Sequence, residues 1–78
     1  MPDIENLTRA VMAKVLRIAP QDITSDTSRE TLPAWDSLKH MTLILALEEE
    51  FGVEFSDKEI VGLNSLQLLL DALRSKCP

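Results

Sequence analysis

The segment 37–51 constrains the fold most, because it contains neither glycine nor proline and its apolar residues follow helical spacing. Apolar residues at three- and four-residue steps share one face of a helix, and that face is buried against other elements. We expect the buried stripe to consist of Met41, Ile44, Leu47 and Phe51, with Leu43 and Leu45 beside it. Gly52 follows, at the position where helices commonly end in a left-handed conformation.

A second helical segment precedes this one. It is predicted to begin after Asp3, a good N-cap, and Pro20 is expected to end it. Its apolar side chains recur at three- and four-residue steps, which favours an amphipathic helix with one buried stripe. The residues expected on that stripe are Ile4, Leu7, Val11, Val15 and Ile18.

Two shorter helices are predicted after Gly52. Ser56 and Glu59 form a capping-box pattern that should start a short third helix, with Gly62 near its end. Asn64 is the expected cap of a fourth helix, whose last turn carries basic residues that suit the helix dipole. The leucines expected to face inward from this helix are Leu66, Leu69, Leu70 and Leu73.

These segments predict an all-α fold. No stretch alternates cleanly as a strand would, and 78 residues correspond to a single domain spanning 1–78. Residues 20–36 form a long connection, which Ile23, Leu32 and Trp35 are expected to hold against the core. The predicted architecture is therefore a small four-helix bundle with a long first loop and a short third helix.

The charge balance limits the partners of the chain. Its net charge of −5, from 13 acidic and 8 basic side chains, disfavours binding to nucleic acid or to anionic membranes. Basic surfaces on other proteins complement it better. No apolar run approaches the length of a membrane span, so we expect no membrane insertion. We also expect the chain to be a monomer.

Cys77 is the single cysteine of the chain and is expected to be an exposed thiol near the C-terminus. One cysteine cannot form an internal disulfide, and the sequence contains no cluster of metal-ligand residues. The N-terminal residues lack the basic and apolar regions of a signal peptide. Together these features predict a cytoplasmic protein without a bound metal.

Ser37 stands at the head of the longest predicted helix, directly after Asp36. An Asp-Ser pair at such a position is most often only a cap. Here Asp36 can cap the helix without Ser37, and neither residue is followed three positions later by Glu or Gln. The hydroxyl of Ser37 is therefore a candidate for a role other than capping.

The triplet Asp36-Ser37-Leu38, followed by Met41 and by the run Ala-Leu-Glu-Glu-Glu-Phe that ends at Phe51, resembles the acyl carrier protein family. The resemblance covers most of the chain, including its length, helix order and acidic balance. It implies that Ser37 receives 4′-phosphopantetheine from coenzyme A, transferred by a separate phosphopantetheinyl transferase. It also implies that the chain is a carrier rather than an enzyme, loaded by an acyl or aminoacyl ligase and used by acyltransferases or synthases.

The chain departs from the family pattern near this serine. Many fatty-acid carriers have Gly-x-Asp-Ser-Leu, whereas Trp35 precedes Asp36 here, and Pro33 lies near the expected glycine. Lys39 and Thr42 occupy positions that are usually acidic in fatty-acid carriers. These departures indicate a specialised biosynthetic pathway with its own ligase or transferase rather than bulk fatty-acid synthesis.

Several residues around Ser37 are candidates for partner recognition. Trp35 is expected either to anchor the loop on the core or to offer a contact surface. Met41 is expected in the core, Leu38 on the surface, and His40 as a solvated helix residue. The set proposed to meet partner enzymes is Trp35, Asp36, Leu38, Lys39, Met41, Glu48 and Glu49.

Two other functions remain open at this point. One is an unmodified protein-interaction module that keeps the bundle and its acidic face, and modification of Ser37 would exclude it. A hydrolase using Ser37 and His40 is disfavoured, because the sequence has no nucleophile-elbow pattern and no evident oxyanion hole.

Overall fold

The computed structural model describes residues 3–76. Four α-helices lie within this range: α1 at Ile4–Leu16, α2 at Ser37–Phe51, α3 at Asp57–Gly62 and α4 at Leu66–Lys76. A 3-10 turn at Pro20–Asp22 interrupts the long loop between α1 and α2. No β-strand occurs between residues 3 and 76, although Ser28 and Ser65 form an isolated antiparallel bridge. The predicted all-α fold, with its long first loop and short α3, is confirmed.

Local sequence signals account for most of the helix ends. The side chain of Asp3 caps α1, and Ser56 and Glu59 form the predicted capping box at α3. Gly52 ends α2 with a φ of 65°, a left-handed conformation in which glycine has no Cβ to clash.

Two expected helix ends are corrected. Helix α1 stops at Leu16 rather than at Pro20, because Arg17 adopts a left-handed φ of 58° and its amide donates to the carbonyl of Ala13. Helix α4 is started by Ser65, whose Oγ accepts from the Leu68 amide at 3.2 Å. Asn64 does not serve as the cap, since its side-chain amide donates to the carbonyl of Val61 instead.

The core lies where α1 packs against α2 and α4. Ile23 and Trp35 are buried and anchor the long loop to this core, as expected, and Leu32 packs against it. The four inward leucines of α4 are buried as predicted. The buried apolar side chains are Met12, Ala13, Leu16, Ile23, Trp35, Leu43, Ile44, Leu47, Phe55, Leu63, Leu66, Leu69, Leu70 and Leu73.

The predicted stripe of α1 was wrong in its centre. The buried positions of this helix are Thr8, Met12, Ala13 and Leu16, whereas the expected residues are only half-buried beside them. The reason is that α1 contacts two helices at once, α2 and α4, so its buried face is broad. The centre of that face lies to one side of the predicted stripe, and most residues of the stripe pack along the edge of the core.

Candidate functional site

The head of α2 is capped by one side chain. Asp36 has an extended conformation, and its Oδ1 accepts a hydrogen bond from the Lys39 amide at 2.9 Å. The His40 amide donates to the backbone carbonyl of Asp36 at 2.8 Å. The helix therefore begins at Ser37 without using the Ser37 hydroxyl.

Ser37 is exposed at the first position of α2. Its Oγ accepts a hydrogen bond from Nη2 of Arg29 at 3.0 Å. The first-turn amides of a helix lack intrahelical acceptors, and this end of a helix favours an anion. An accessible hydroxyl beside such amides and a guanidinium is chemically suited to carry a phosphodiester.

Arg29 is a site residue that the sequence reasoning missed. The only signal was a basic residue within a long loop, and its neighbours in space are distant in the chain. Its backbone amide donates to the carbonyl of Asn64 at 2.9 Å. Its Nη1 lies 3.4 Å from Oδ1 of the same asparagine, a long hydrogen bond.

Trp35 and His40 lie behind the site in a buried polar network. Trp35 is only 2% exposed, and its Nε1 donates to Nδ1 of His40 at 3.0 Å. Nε2 of His40 in turn lies 2.7 Å from the carbonyl oxygen of Ile60. With Nδ1 as the acceptor, the proton is on Nε2, which then donates to this carbonyl.

This network decides between the two roles expected of Trp35 and corrects the one expected of His40. Trp35 anchors the loop, and its burial leaves no exposed ring for a partner to contact. His40 is 4% exposed rather than solvated, because it lies on the same face of α2 as Leu43, Ile44 and Leu47. Its two ring nitrogens can be buried there because both have partners.

Met41 is also corrected. It is 45% exposed and does not belong to the core, whereas Leu38 is 77% exposed, as predicted. Leu45 is 60% exposed, and these three residues share the solvent face of α2 at helical spacing. We call Leu38, Met41 and Leu45 the apolar face of α2.

The acidic residues near the end of α2 differ in their surroundings. Oε2 of Glu48 accepts a hydrogen bond from the Phe55 amide at 2.8 Å, which ties the chain after Gly52 back to α2. This gives Glu48 a structural contact that the sequence did not indicate. Glu49 and Glu50 are exposed.

Within residues 3–76 no group of three or more His, Cys, Asp and Glu side chains is arranged to hold a metal ion. No helix of this part of the chain is long and apolar enough to cross a membrane. Cys77 lies outside the described residues.

A family model described as a phosphopantetheine attachment site matches residues 6–73. The match spans all four helices and includes the loop that carries Arg29. The helical bundle with a serine exposed at the head of α2 is thus of the phosphopantetheine-dependent carrier class.

Curated relatives narrow this class. An acyl carrier protein from Thermosynechococcus vestitus is 40% identical over 75 residues, covering 95% of this chain and 91% of that protein. An acyl carrier protein from Buchnera aphidicola subsp. Schizaphis graminum is 33% identical over 76 residues, covering 97% and 96% respectively. The chain belongs to the acyl carrier protein family.

Family membership confirms the predicted carrier class and cofactor. The protein is a non-catalytic carrier with covalently attached 4′-phosphopantetheine, and it interacts with synthase or transferase enzymes. A non-catalytic carrier does not fit the hypothesis that Ser37 and His40 form a hydrolase site. Both ring nitrogens of His40 are engaged by Trp35 and Ile60, and no ring nitrogen is left to activate a nucleophile.

Proposed function

We propose that Ser37 is the phosphopantetheine attachment point, and that the chain delivers acyl or aminoacyl thioesters between enzymes of a specialised biosynthetic pathway. The observation that carries the proposal is the capping of α2 by Asp36. Because Asp36 holds the helix start, the exposed hydroxyl of Ser37 is available for modification without loss of the cap.

The arm supplies the chemistry through its terminal thiol, which forms the thioester with the cargo. The residues of the chain supply position and a surface for partners. Asp36 fixes the helix start, and Leu38 and Met41 offer apolar contacts beside Ser37. Such exposed apolar side chains next to a modified residue suit transient docking by successive enzymes.

Charged residues of the proposed partner surface differ along α2. Lys39 lies beside Ser37, and Glu49 lies exposed near the other end. Exposed charges of this kind mainly set association rate and partner choice. Glu48 contributes less to this surface, because one of its carboxylate oxygens is bonded to the Phe55 amide.

Lys39 and Thr42 make the front of α2 less negative, which favours a specialised pathway. The Thr42 hydroxyl donates to the carbonyl of Leu38 at 3.2 Å, so this position adds no negative charge to the front of α2. A partner with a strongly basic docking surface would meet Lys39 as a like charge. The proposal also includes a single monomeric carrier domain over 1–78. It includes a cytoplasmic location as well, which the presence of only one cysteine supports.

Intact-mass measurement after incubation with coenzyme A and a broad-specificity phosphopantetheinyl transferase tests the attachment point. The wild-type chain is expected to gain one phosphopantetheine, and Ser37→Ala none. A gain on Ser37→Ala would place the arm elsewhere. No gain on wild type with several transferases would instead favour an unmodified interaction module.

Turnover with fatty-acid synthesis enzymes tests the choice of pathway. Lys39→Glu restores the acidic charge that those partners usually meet, so it is expected to raise turnover. Lys39→Gln is the matched control, because it removes the positive charge without adding a negative one. Equal turnover by wild type and Lys39→Glu would contradict the role given to Lys39.

A further inference from the structure

Arg29 is the one basic side chain that the hydrogen bonds of residues 3–76 connect to Ser37. Its Nη2 donates to Oγ of Ser37 at 3.0 Å although the two residues are eight positions apart. Nothing in the capping of α2 requires this contact, since Asp36 performs that task. The guanidinium is therefore directed at the hydroxyl that the proposed function modifies.

The backbone around Arg29 is held in place from two sides. The Arg29 amide donates to the carbonyl of Asn64 at 2.9 Å, and the Leu66 amide donates to the carbonyl of Thr27 at 3.0 Å. These bonds join the loop to the start of α4. On the other side, the Thr31 and Leu32 amides donate to the carbonyl of Ser28, at 3.2 and 3.0 Å. The guanidinium thus extends from a fixed point rather than from a loose loop.

The positive charge of Arg29 is not neutralised by a carboxylate in the described part of the chain. The ion pairs found between residues 3 and 76 are Arg9 with Glu5 and Lys76 with Glu59. The acceptors of the Arg29 side chain are the hydroxyl of Ser37 and the amide oxygen of Asn64, both uncharged. A half-buried guanidinium with only neutral acceptors retains a strong preference for an anion.

We propose that Arg29 is a positioning residue that binds the phosphodiester of the arm, an inference that rests on Ser37 being the attachment point. Attachment places phosphoryl oxygens around Oγ of Ser37, in the region that Nη2 already reaches. Two N–H groups of a guanidinium match two phosphoryl oxygens, a geometry that lysine cannot reproduce. The contact also offsets the negative charge of Asp36, which lies next to the new phosphate.

Nuclear magnetic resonance of the apo and holo wild-type chain is the first test, since it needs no variant. The side-chain nitrogen resonances of Arg29 are expected to shift on conversion to the holo form, while those of Arg74 on α4 stay in place. Unchanged Arg29 resonances would overturn the proposal. Intact mass is recorded on the same samples, and a wild type that gains no arm would remove the attachment point and this inference together.

Variants of Arg29 provide the second test. The holo-minus-apo difference in melting temperature is expected to be more positive in wild type than in Arg29→Gln, by about 2–8 °C at low salt. Arg29→Lys should keep part of this difference, and Arg74→Gln, which removes the same charge from a distant site, should keep all of it. The phosphorus resonance of holo Arg29→Gln is expected to move from its wild-type position.

These outcomes separate a phosphate contact from a purely structural role. If Arg29 serves only to join the loop to Asn64, Arg29→Gln lowers the apo and holo melting temperatures equally and leaves the phosphorus resonance in place. That result would refute the proposal while the intact mass of the same samples still reports attachment at Ser37.

Discussion

Separate substitutions of Asp36 and Ser37 should show that Asp36 caps α2 and that Ser37 accepts the arm. Asp36→Ala removes the carboxylate that accepts from the Lys39 amide at 2.9 Å. Loss of such a cap costs about 1 kcal/mol, within a range of roughly 0.5–2 kcal/mol. For a domain of this size, that corresponds to a fall in melting temperature of about 4–8 °C.

Ser37→Ala should leave the stability nearly unchanged. It removes one hydrogen bond, from Arg29 to an exposed hydroxyl at 3.0 Å. At the surface, where water replaces the lost partner, such a bond contributes about 0.5 kcal/mol, the low end of the usual range. Alanine has a better helix propensity than serine, which recovers about 0.5 kcal/mol. The two effects nearly cancel, so the variant should fold normally and yet accept no arm.

Urea unfolding followed by far-UV circular dichroism measures the stability, and intact mass after transferase treatment measures modification. Ser56→Ala is the matched control, since it removes the corresponding cap of α3 at a similar cost but away from Ser37. That variant should lose about 1 kcal/mol of stability and still accept the arm. A Ser37→Ala chain destabilised by more than about 1 kcal/mol would show that Ser37 itself caps the helix and would refute the reasoning.

Three further predictions concern stability. Thr8 is fully buried and its Oγ1 has no hydrogen-bond partner among the described residues, so Thr8→Val should raise the free energy of unfolding by about 1 kcal/mol, whereas Thr8→Ser should lower it. His40→Leu should lower the free energy of unfolding in urea by about 2–4 kcal/mol, because it leaves Trp35 Nε1 and the Ile60 carbonyl without partners. Adding Trp35→Phe should recover part of this loss. If the losses of the two single variants simply add in the double variant, the network is contradicted. The hydrogen bond from the Ser56 amide, followed by the interaction with Lys76, lowers the pKa of Glu59 below its ordinary value of 4.5. The ionised Glu59 carboxylate therefore stabilises the folded chain above pH 4.5, and this stabilisation is lost as the pH falls through the lower pKa of the folded state. Glu59→Gln should thus reduce the acid-induced fall in melting temperature below pH 4.5, and an unchanged slope would argue against the pairing.

The helix ends could largely be predicted from the sequence, because capping is a local interaction. Asp3, Gly52 and Ser56 act through neighbours a few positions away, and those neighbours are visible in the sequence. The end of α1 is an exception. Arg17 adopts a left-handed conformation that is uncommon for a residue with a side chain, so nothing in its identity signalled the stop.

The residues that were misjudged are those whose environment comes from other elements. Segment 37–51 has apolar residues on more than one face, so its pattern did not determine which face is buried. Packing buries the face with His40 and exposes Met41, and the partners that make this tolerable are Trp35 in the loop and Ile60 in α3. Arg29 reaches Ser37 because backbone hydrogen bonds to Asn64 and Leu66, far along the chain, hold its loop against the start of α4.

The same contacts explain how the start of α2 around Ser37 can be held rigid. Asp36 caps α2 through its own carboxylate, so the helix start does not depend on whether the Ser37 hydroxyl is free or modified. Trp35 lies two residues before Ser37 and is fixed to α2 and α3 through His40. If this network keeps the start of α2 rigid, His40→Leu should increase exchange with solvent of the Lys39 amide, which donates to Asp36, more than that of the Leu47 amide further along α2. Equal increases at both positions would indicate a general loss of stability instead of a more flexible start of α2.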